Sequence, residues 1–320
     1  MRRKNWLILR GHKSITSRIL PYFPSRKRES INLWILGALC LLTLACAIPI
    51  PTTEPLTIIS TVDHVQSVDL DGAEQATVRL RLLSKYLTID PSDAVELLRG
   101  HFRYNVKEWA PSVKQTTNGT LRNVTVGQGL GSQIPLSTSD DYVNEWAIAL
   151  GKGVPIDLDI DIGAGDAALD LSGLSISDLS MTTGSADVSL VFNSPNPEPL
   201  GTLRLTSGTG KFAASGLGNA NFDRVVVLGG TGTVNLDFGG ALQRSAVADI
   251  TAGAGKIDVR VPAALGVRLT FAGTSVSTVE TIGFTEQSEN IFVNDAYGVA
   301  PLTLTINITA GVGAITLISQ

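Results

Sequence analysis

The chain has 320 residues, 43% hydrophobic and only 6% aromatic, with 32 glycines and a formal net charge of −4. Its two cysteines, Cys40 and Cys46, share one apolar run, which leaves the rest of the chain without a disulfide, a cysteine-based zinc site or thiol chemistry. Charge is segregated: residues 1–30 hold nine basic groups against Glu29, and the other 290 residues hold 16 basic and 28 acidic groups, which argues against a nucleic-acid partner.

Residues 1–30 read as a basic cytoplasmic head or a long signal n-region, since basic residues favour the cytoplasmic flank of a membrane segment. A start codon further downstream is the alternative. Residues 31–47, INLWILGALCLLTLACA, carry no charge. This segment is long for a signal core and slightly short for a spanning helix. Leu42-Thr-Leu-Ala-Cys46 resembles the lipobox of bacterial lipoproteins. Ala45 supplies the small residue that cleavage requires, while Thr43 stands where leucine is usual. Cys46 is therefore the candidate lipidation site, with an uncleaved anchor or simple secretion as alternatives. Each places the body outside the cytoplasm, and the first two tie it to the cell membrane. Residues 48–62 begin with three prolines and two threonines and read as a stiff spacer.

Residues 63–155 read as an N-terminal capping part. Ala76–Leu83 and Tyr86–Ile89 alternate in hydrophobicity, with Leu83-Ser84-Lys85 between them. Asp93–Arg99 reads as a short helix or turn, and 112–153 as looser loop composition. Trp146, Ile148 and Leu150 read as a strand edge leading into residues 156–320. Tyr104, Trp109, Tyr142 and Trp146 crowd this part. As exposed aromatics they would line a glycan or peptide groove; as core residues they would close the first repeat.

Residues 156–320 are organised by one pattern. A Gly-x-Gly element recurs with its first glycine at Gly163, Gly184, Gly208, Gly230, Gly253 and Gly311, and its second at Gly165, Gly210, Gly232, Gly255 and Gly313; the copy at Gly184 reads Gly-Ser-Ala. The residues three and five positions before each element are apolar, as are those two and four positions after it. Alternation of this kind marks strands with one buried face. The apolar parity flips across each element, as a chain does when it turns a corner while keeping its apolar side inward. A near-constant period of about 22 residues predicts stacked repeats, an all-β solenoid in which each rung buries its face on its neighbours. A sandwich of hairpins is the alternative fold, since Gly-x-Gly also suits hairpin loops. Pro195-Asn-Pro-Glu-Pro199 reads as an insertion loop. The 58-residue gap before Gly311 leaves room for one and a half degenerate copies, with a polar excursion at 284–296 and Thr303–Leu317 as the closing rung.

The segments GAGDAALDLSGLSISDL, GLGNANFDRVVVLGGTGTVNLDF and GAGKIDVRVPAALGVRL resemble the toast-rack domains of LiaF-like, cell-wall-active antibiotics response proteins. The resemblance spans residues 65–320 and is stronger after Val154. It implies an extracytoplasmic β-solenoid-like domain and no catalytic residue. The family's regulatory member inhibits a histidine kinase that senses envelope stress, but it carries several spanning helices, whereas this chain has one apolar segment.

Other motifs weigh as structural. Asp157, Asp159 and Asp161 put three carboxylates on one strand face, but Ile162 stands where a calcium loop of the EF-hand type needs glycine. Gly229-Gly-Thr-Gly-Thr-Val-Asn235 lacks the aspartate of a calcium nonapeptide at Val234. Gly208-Thr-Gly-Lys211 and Gly253-Ala-Gly-Lys256 lack the upstream glycine and the following Ser or Thr of a phosphate loop, and Gly216-Leu-Gly-Asn-Ala-Asn221 lacks the third glycine of a dinucleotide fingerprint. Only His64 and His101 lie beyond the head. No catalytic residue, metal site or cofactor is expected. The expected function is a non-enzymatic binding or scaffold module of the cell envelope, partnered by a membrane protein such as a sensor kinase or by cell-wall glycan. An adhesin-like surface lipoprotein is the alternative.

Overall fold

The computed structural model describes residues 56–128, 141–272 and 278–320. The chain divides into two units, 1–55 and 56–320, and every described residue belongs to the second. The basic head, the apolar segment with Cys46 and most of the proline spacer lie outside the described residues.

Among the described residues seventeen strands follow one another: β1 Ile58–Val68, β2 Gln75–Leu82, β3 Tyr86–Ser92, β4 Leu98–Val106, β5 Pro111–Asn118, β6 Leu121–Gln128, β7 Asn144–Gly151, β8 Ile156–Asp170, β9 Ile176–Val191, β10 Leu200–Ser215, β11 Phe222–Asp237, β12 Ala246–Val261, β13 Gly266–Ala272, β14 Thr278–Ile282, β15 Thr285–Ser288, β16 Ile291–Val293 and β17 Thr303–Ser319. The strands of 15 to 17 residues, β8 to β12 and β17, are the glycine-element repeats. Each runs unbroken through its corner, so each rung has an arm before the corner (arm A) and an arm after it (arm B).

The rungs stack in parallel and in register. Leu158, Leu179, Leu203, Val225, Ala248 and Ile306 form one inward row of arm A, and Ala167, Val188, Phe212, Val234, Ile257 and Ile315 one inward row of arm B. All are buried. The parity flip is what keeps both arms facing one core: Ile162 is the last inward residue of arm A and Ala167 the first fully buried one of arm B. The row nearest the corner shrinks to Thr183, Ser207, Gly229, Ala252 and Ala310, small residues where the two arms converge. Burying each Leu, Ile or Phe of these rows contributes about 1.5–3 kcal/mol, but only once a neighbouring rung is present to cover it.

The segments that return the chain from arm B to the next arm A close the third side of the core. Leu171, Leu174, Phe192, Leu217, Ala220 and Phe238 are buried there. So are three asparagines. Ile176 N–H donates to Asn196 Oδ1 (2.8 Å), while Asn196 Nδ2 donates to the carbonyls of Ile176 (2.8 Å) and Ala220 (3.2 Å). Asn219 Nδ2 donates to the Phe192 carbonyl and its Oδ1 accepts from Ala241 N–H, both at 2.8 Å. Asn221 Nδ2 donates to the Glu198 carbonyl at 2.9 Å. Each amide thus satisfies backbone groups of adjacent return segments that ladder bonds do not reach. The Pro195–Pro199 stretch, expected as an insertion loop, is a return segment carrying one of these asparagines.

The two ends of the stack differ from the sequence expectation. At the N-terminal end, β2 and β3 are the two arms of a first rung, with Ala76 to Leu82 against Ile156 to Ile162 and Tyr86 to Ile89 against Asp166 to Leu169. The corner Leu83-Ser84-Lys85 occupies the place of a glycine element. Beyond that rung, arm A continues through β6 and β5, a hairpin turning at Gly119 where the composition suggests loop. Arm B continues through β7, β4 and β1. Residues 94–97 form bends rather than a helix, and β4 begins at Leu98.

At the C-terminal end, β17 is not the closing rung. It pairs directly with β12, Ala246 to Val261 against Leu304 to Ser319, and on its other side with β13 and β14. The 58-residue gap therefore holds a single degenerate rung, split into β13 on arm A and β14 on arm B, and the later strand β17 fits between β12 and that rung. The expected polar excursion supplies the β15–β16 hairpin, which covers β13. Phe292 of β16 meets Phe271 of β13 edge to face, with centroids 5.6 Å apart.

Candidate binding surfaces

The glycines of the repeat lie at the corners. At the first positions from Gly184 onward the preceding rung passes so close that a side chain would meet backbone: a methyl on Gly184 would overlap the Gly163 carbonyl, and Gly208, Gly230, Gly253 and Gly311 meet the preceding corner in the same way. Gly163 abuts the Leu83 side chain. The second glycines, Gly165, Gly210, Gly232, Gly255 and Gly313, have φ from +110° to +150°. Ala186 fills that position in β9 without a positive φ. The phosphate-loop look-alikes sit inside these strands. Lys211 N–H donates to Asp187 Oδ1 at 2.7 Å, and Lys256 pairs with Asp258 at 2.8 Å.

The outward face of arm A is a grid of charges at rung spacing. Arg79 and Arg81 lie in register with Asp159 and Asp161 through β2–β8 pairing, and Asp157 lies beside Asp178. Arg81 pairs with Asp159, Arg204 approaches Asp178 at 3.8 Å, and Arg224 pairs with Asp249. Asp159 and Asp161 thus face arginines across β2 and hydroxyl residues across β9, and Asp157 alone has a carboxylate beside it. Burial, reinforced by Asp178, raises the Asp157 pKa above the ordinary carboxylate value, against the pull of Arg79.

The aromatic cluster is a cap, not an exposed groove, which is the second of the two sequence readings. Trp109 and Trp146 are buried, and Tyr104 and Tyr142 half-buried. Phe102 meets Trp146 edge to face at 4.6 Å, and Tyr142 tilts on Trp109 at 5.6 Å. Trp146 is internal, since β7 is flanked by β3 and β4. Its Nε1 donates to Asn144 Oδ1 (2.9 Å), and Asn144 Nδ2 donates to the Leu83 carbonyl (2.6 Å). Leu83 N–H donates to Gln128 Oε1 at 3.2 Å. These cap side chains hold the one corner that lacks glycine.

Two small cavities lie among the described residues. One of about 200 Å³ lies among the return segments, lined by Phe238, Leu242, Pro262, Leu265, Pro301 and Leu302. Another of about 150 Å³ lies on the outward face of arm B, bordered by Thr88, Asp90, Asp170, Ser189 and Asn193. Both fall below the roughly 300–1,000 Å³ typical of small-molecule sites. They have room for a side chain rather than a cofactor. His101 is engaged with Asp63 on the exposed β1–β4 face.

Residues 59–198 match the family model described as the N-terminal domain of toast_rack, DUF2154. This part of the chain is similar to a toast-rack N-terminal domain. The match covers the cap, the first rung, β8 and β9, the part where the repeat is least evident in sequence. The same ladders continue past the matched segment through β10, β11, β12 and β17.

Comparison with curated proteins gave no match. Among solved structures, a candidate cell adhesion protein from Clostridium sporogenes ATCC 15579 is similar at 22% identity and a TM-score of 0.45, covering 82% of this chain and 100% of the other. A candidate adhesin from Bacteroides fragilis NCTC 9343 is similar at 9% identity and a TM-score of 0.30, covering 81% and 97%. Another from Parabacteroides merdae ATCC 43184 is similar at 8% identity and a TM-score of 0.27, covering 80% and 95%.

Proposed function

We propose that this toast-rack protein is a non-enzymatic binding or scaffold module of the cell envelope, held at the extracytoplasmic face of the membrane through residues 31–47 or a lipidated Cys46. The observation that carries the reading is the form of the surface. The two arms present in-register ladders of side chains at regular spacing, which suits an extended protein or glycan partner better than a small reactant. The basic head and the apolar run beside it support the membrane-proximal placement. The toast-rack match supports the class of protein, and a membrane protein of the envelope stress response, such as a sensor kinase, is the partner the reading favours.

The test is crosslinking in intact cells followed by affinity capture of the full-length protein. Recovery of an envelope membrane protein, reduced when the outward charges of arm A are reversed (Asp159→Arg with Asp178→Arg), supports the reading. Recovery of cell-wall glycan alone would favour the adhesin-like alternative. Cys46→Ser should release the protein from the membrane fraction if Cys46 is acylated and leave it there if the apolar segment is an uncleaved anchor.

A further inference from the structure

The rack ends in four strand edges. Among the described residues, β5 pairs only with β6 and β15 only with β16 on arm A, while on arm B β1 pairs only with β4 and β14 only with β17. An unpaired edge is a template for another strand, and natural proteins blunt it with proline, lysine, a bulge or a very short strand. Three of the four edges are blunted in this way. β5 opens on Pro111 and carries Lys114. β15 has four residues, all polar. β1 shifts register between Ile58 and Val62 and carries Asp63, which His101 engages. β14 has no proline, no lysine and no register shift, and it exposes Val279 and Ile282.

Arm B also stops short of arm A at this end. β13 and β14 both pair with β17, so they stand at one level of the stack. Arm A continues past that level through β16 and β15. A strand added to β14 would therefore stand level with β16. Phe292 of β16 is in register with buried Leu269, so it lies on the inward face, yet it is only half-buried. Val279 stands in the column of buried Ile315. An apolar side chain continuing that column would cover Val279 and approach Phe292 across the core, as the inward rows of successive rungs do. Gly283 and Phe284 alone connect β14 to β15, which bounds the site on the return side and leaves the five residues of β14 to pair.

Charge selects the occupant. Residues 269–320 contain Glu280, Glu286, Glu289 and Asp295 and no lysine, arginine or histidine. All four acids are exposed. Glu280 stands on the outward face of β14, in register with Thr316. A second copy offering β14 would bring another Glu280 against this edge, and like charges across a strand pair are unfavourable. A strand with apolar residues on one face and lysine or arginine on the other instead continues the Val279 column and sets a base beside Glu280.

We propose that β14 is a docking edge for an extended segment of a partner protein in which apolar and basic residues alternate, added as a further strand of arm B. Ladder bonds supply the affinity, and the Val279 column and Glu280 set the register and the sign of charge accepted. So short an edge makes a small, weak interface. The inference concerns a surface other than the outward face of arm A, and either reading can fail without the other.

The test is amide hydrogen exchange of the full-length chain in neutral detergent, with and without a synthetic octapeptide of alternating valine and lysine, joined to fluorescence anisotropy of the labelled peptide. The peptide should slow exchange across 278–282, leave β1, β5 and β15 unchanged, and bind more weakly as salt is added. A peptide of the same composition with its valines in one block keeps the charge without the alternation, and should bind several-fold more weakly. Glu280→Lys should weaken the alternating valine–lysine peptide several-fold and let an alternating valine–glutamate peptide protect β14 in its place, with an unchanged thermal midpoint as the control for folding. Absence of protection at β14 up to the solubility limit of the peptide would overturn the proposal. So would equal binding of the alternating and blocked peptides, or equal binding to Glu280→Lys and the wild type. Protection of β14 that appears without peptide as the chain is concentrated would also overturn it, since a second copy would then occupy the edge.

Discussion

At the scale of single residues, the corner glycines are fixed by close approach. Gly255 has φ +134°, and a methyl on it would overlap the carbonyl of Gly232 in the rung before. Gly255→Ala combines a backbone region reserved for glycine with a steric overlap, and should cost about 3 kcal/mol or more. Gly72 has φ +75° and open space around it, so Gly72→Ala should cost only about 1–2 kcal/mol. Urea unfolding of the two variants distinguishes them. Asn196 is fully buried with both amide atoms engaged, so Asn196→Ala leaves orphaned backbone groups and should cost about 2–3 kcal/mol by the same measurement.

Asp157 makes a pH prediction. A carboxyl whose pKa is raised in the folded state holds its proton more tightly there than in the unfolded chain. It therefore favours the fold at acid pH, and that contribution is lost as pH rises through the folded pKa. Burial and Asp178 raise Asp157 in this way. Asp157→Asn should raise the thermal midpoint at neutral pH, and the gain should vanish below the carboxylate range. An unchanged gain at acid pH would mean that packing, not charge, is responsible.

At the scale of elements, the repeats are legible in the sequence and their order is not. Gly-x-Gly with a parity flip is a local signature, and the inward rows it predicts are buried in the structure. Leu83-Ser84-Lys85 can be placed as a corner because Ala76–Leu83 and Tyr86–Ile89 keep the alternation on either side. The insertion of β17 between β12 and the β13–β14 rung cannot be read, because β13 and β14 lack the glycine element and strand order is a non-local property. The cap is hard to read for a related reason. Its strands pair partly antiparallel across long sequence separations, and its aromatics carry no mark of burial in sequence. The asparagines of the return segments have a signal, the recurrence of Asn196, Asn219 and Asn221 in turn compositions, which reads equally well as loop polarity. The C-terminal cap gives its own prediction. Phe292→Ala removes the ring that meets Phe271 and should loosen β15 and β16 by about 2 kcal/mol. Amide hydrogen exchange should rise there while β10 and β11 stay protected.

At the scale of the whole molecule, rung order sets everything the surface can do. It decides which outward side chains share a face, which strands are left as edges, and that the last strand of the chain is an internal one. The most direct measurement is disulfide trapping in a full-length chain with Cys40 and Cys46 replaced by serine. Asp258 pairs with Thr316 across β12 and β17, and Thr316 pairs with Glu280 across β17 and β14. Adjacent rungs lie about 4.8 Å apart, within reach of a disulfide, whereas two rungs of separation exceed the roughly 7 Å limit. The structure predicts that Asp258→Cys with Thr316→Cys crosslinks readily on mild oxidation, and that Asp258→Cys with Glu280→Cys does not. The reverse pattern would mean that the rungs stack in sequence order, and would contradict the account of the fold and of the edges it exposes.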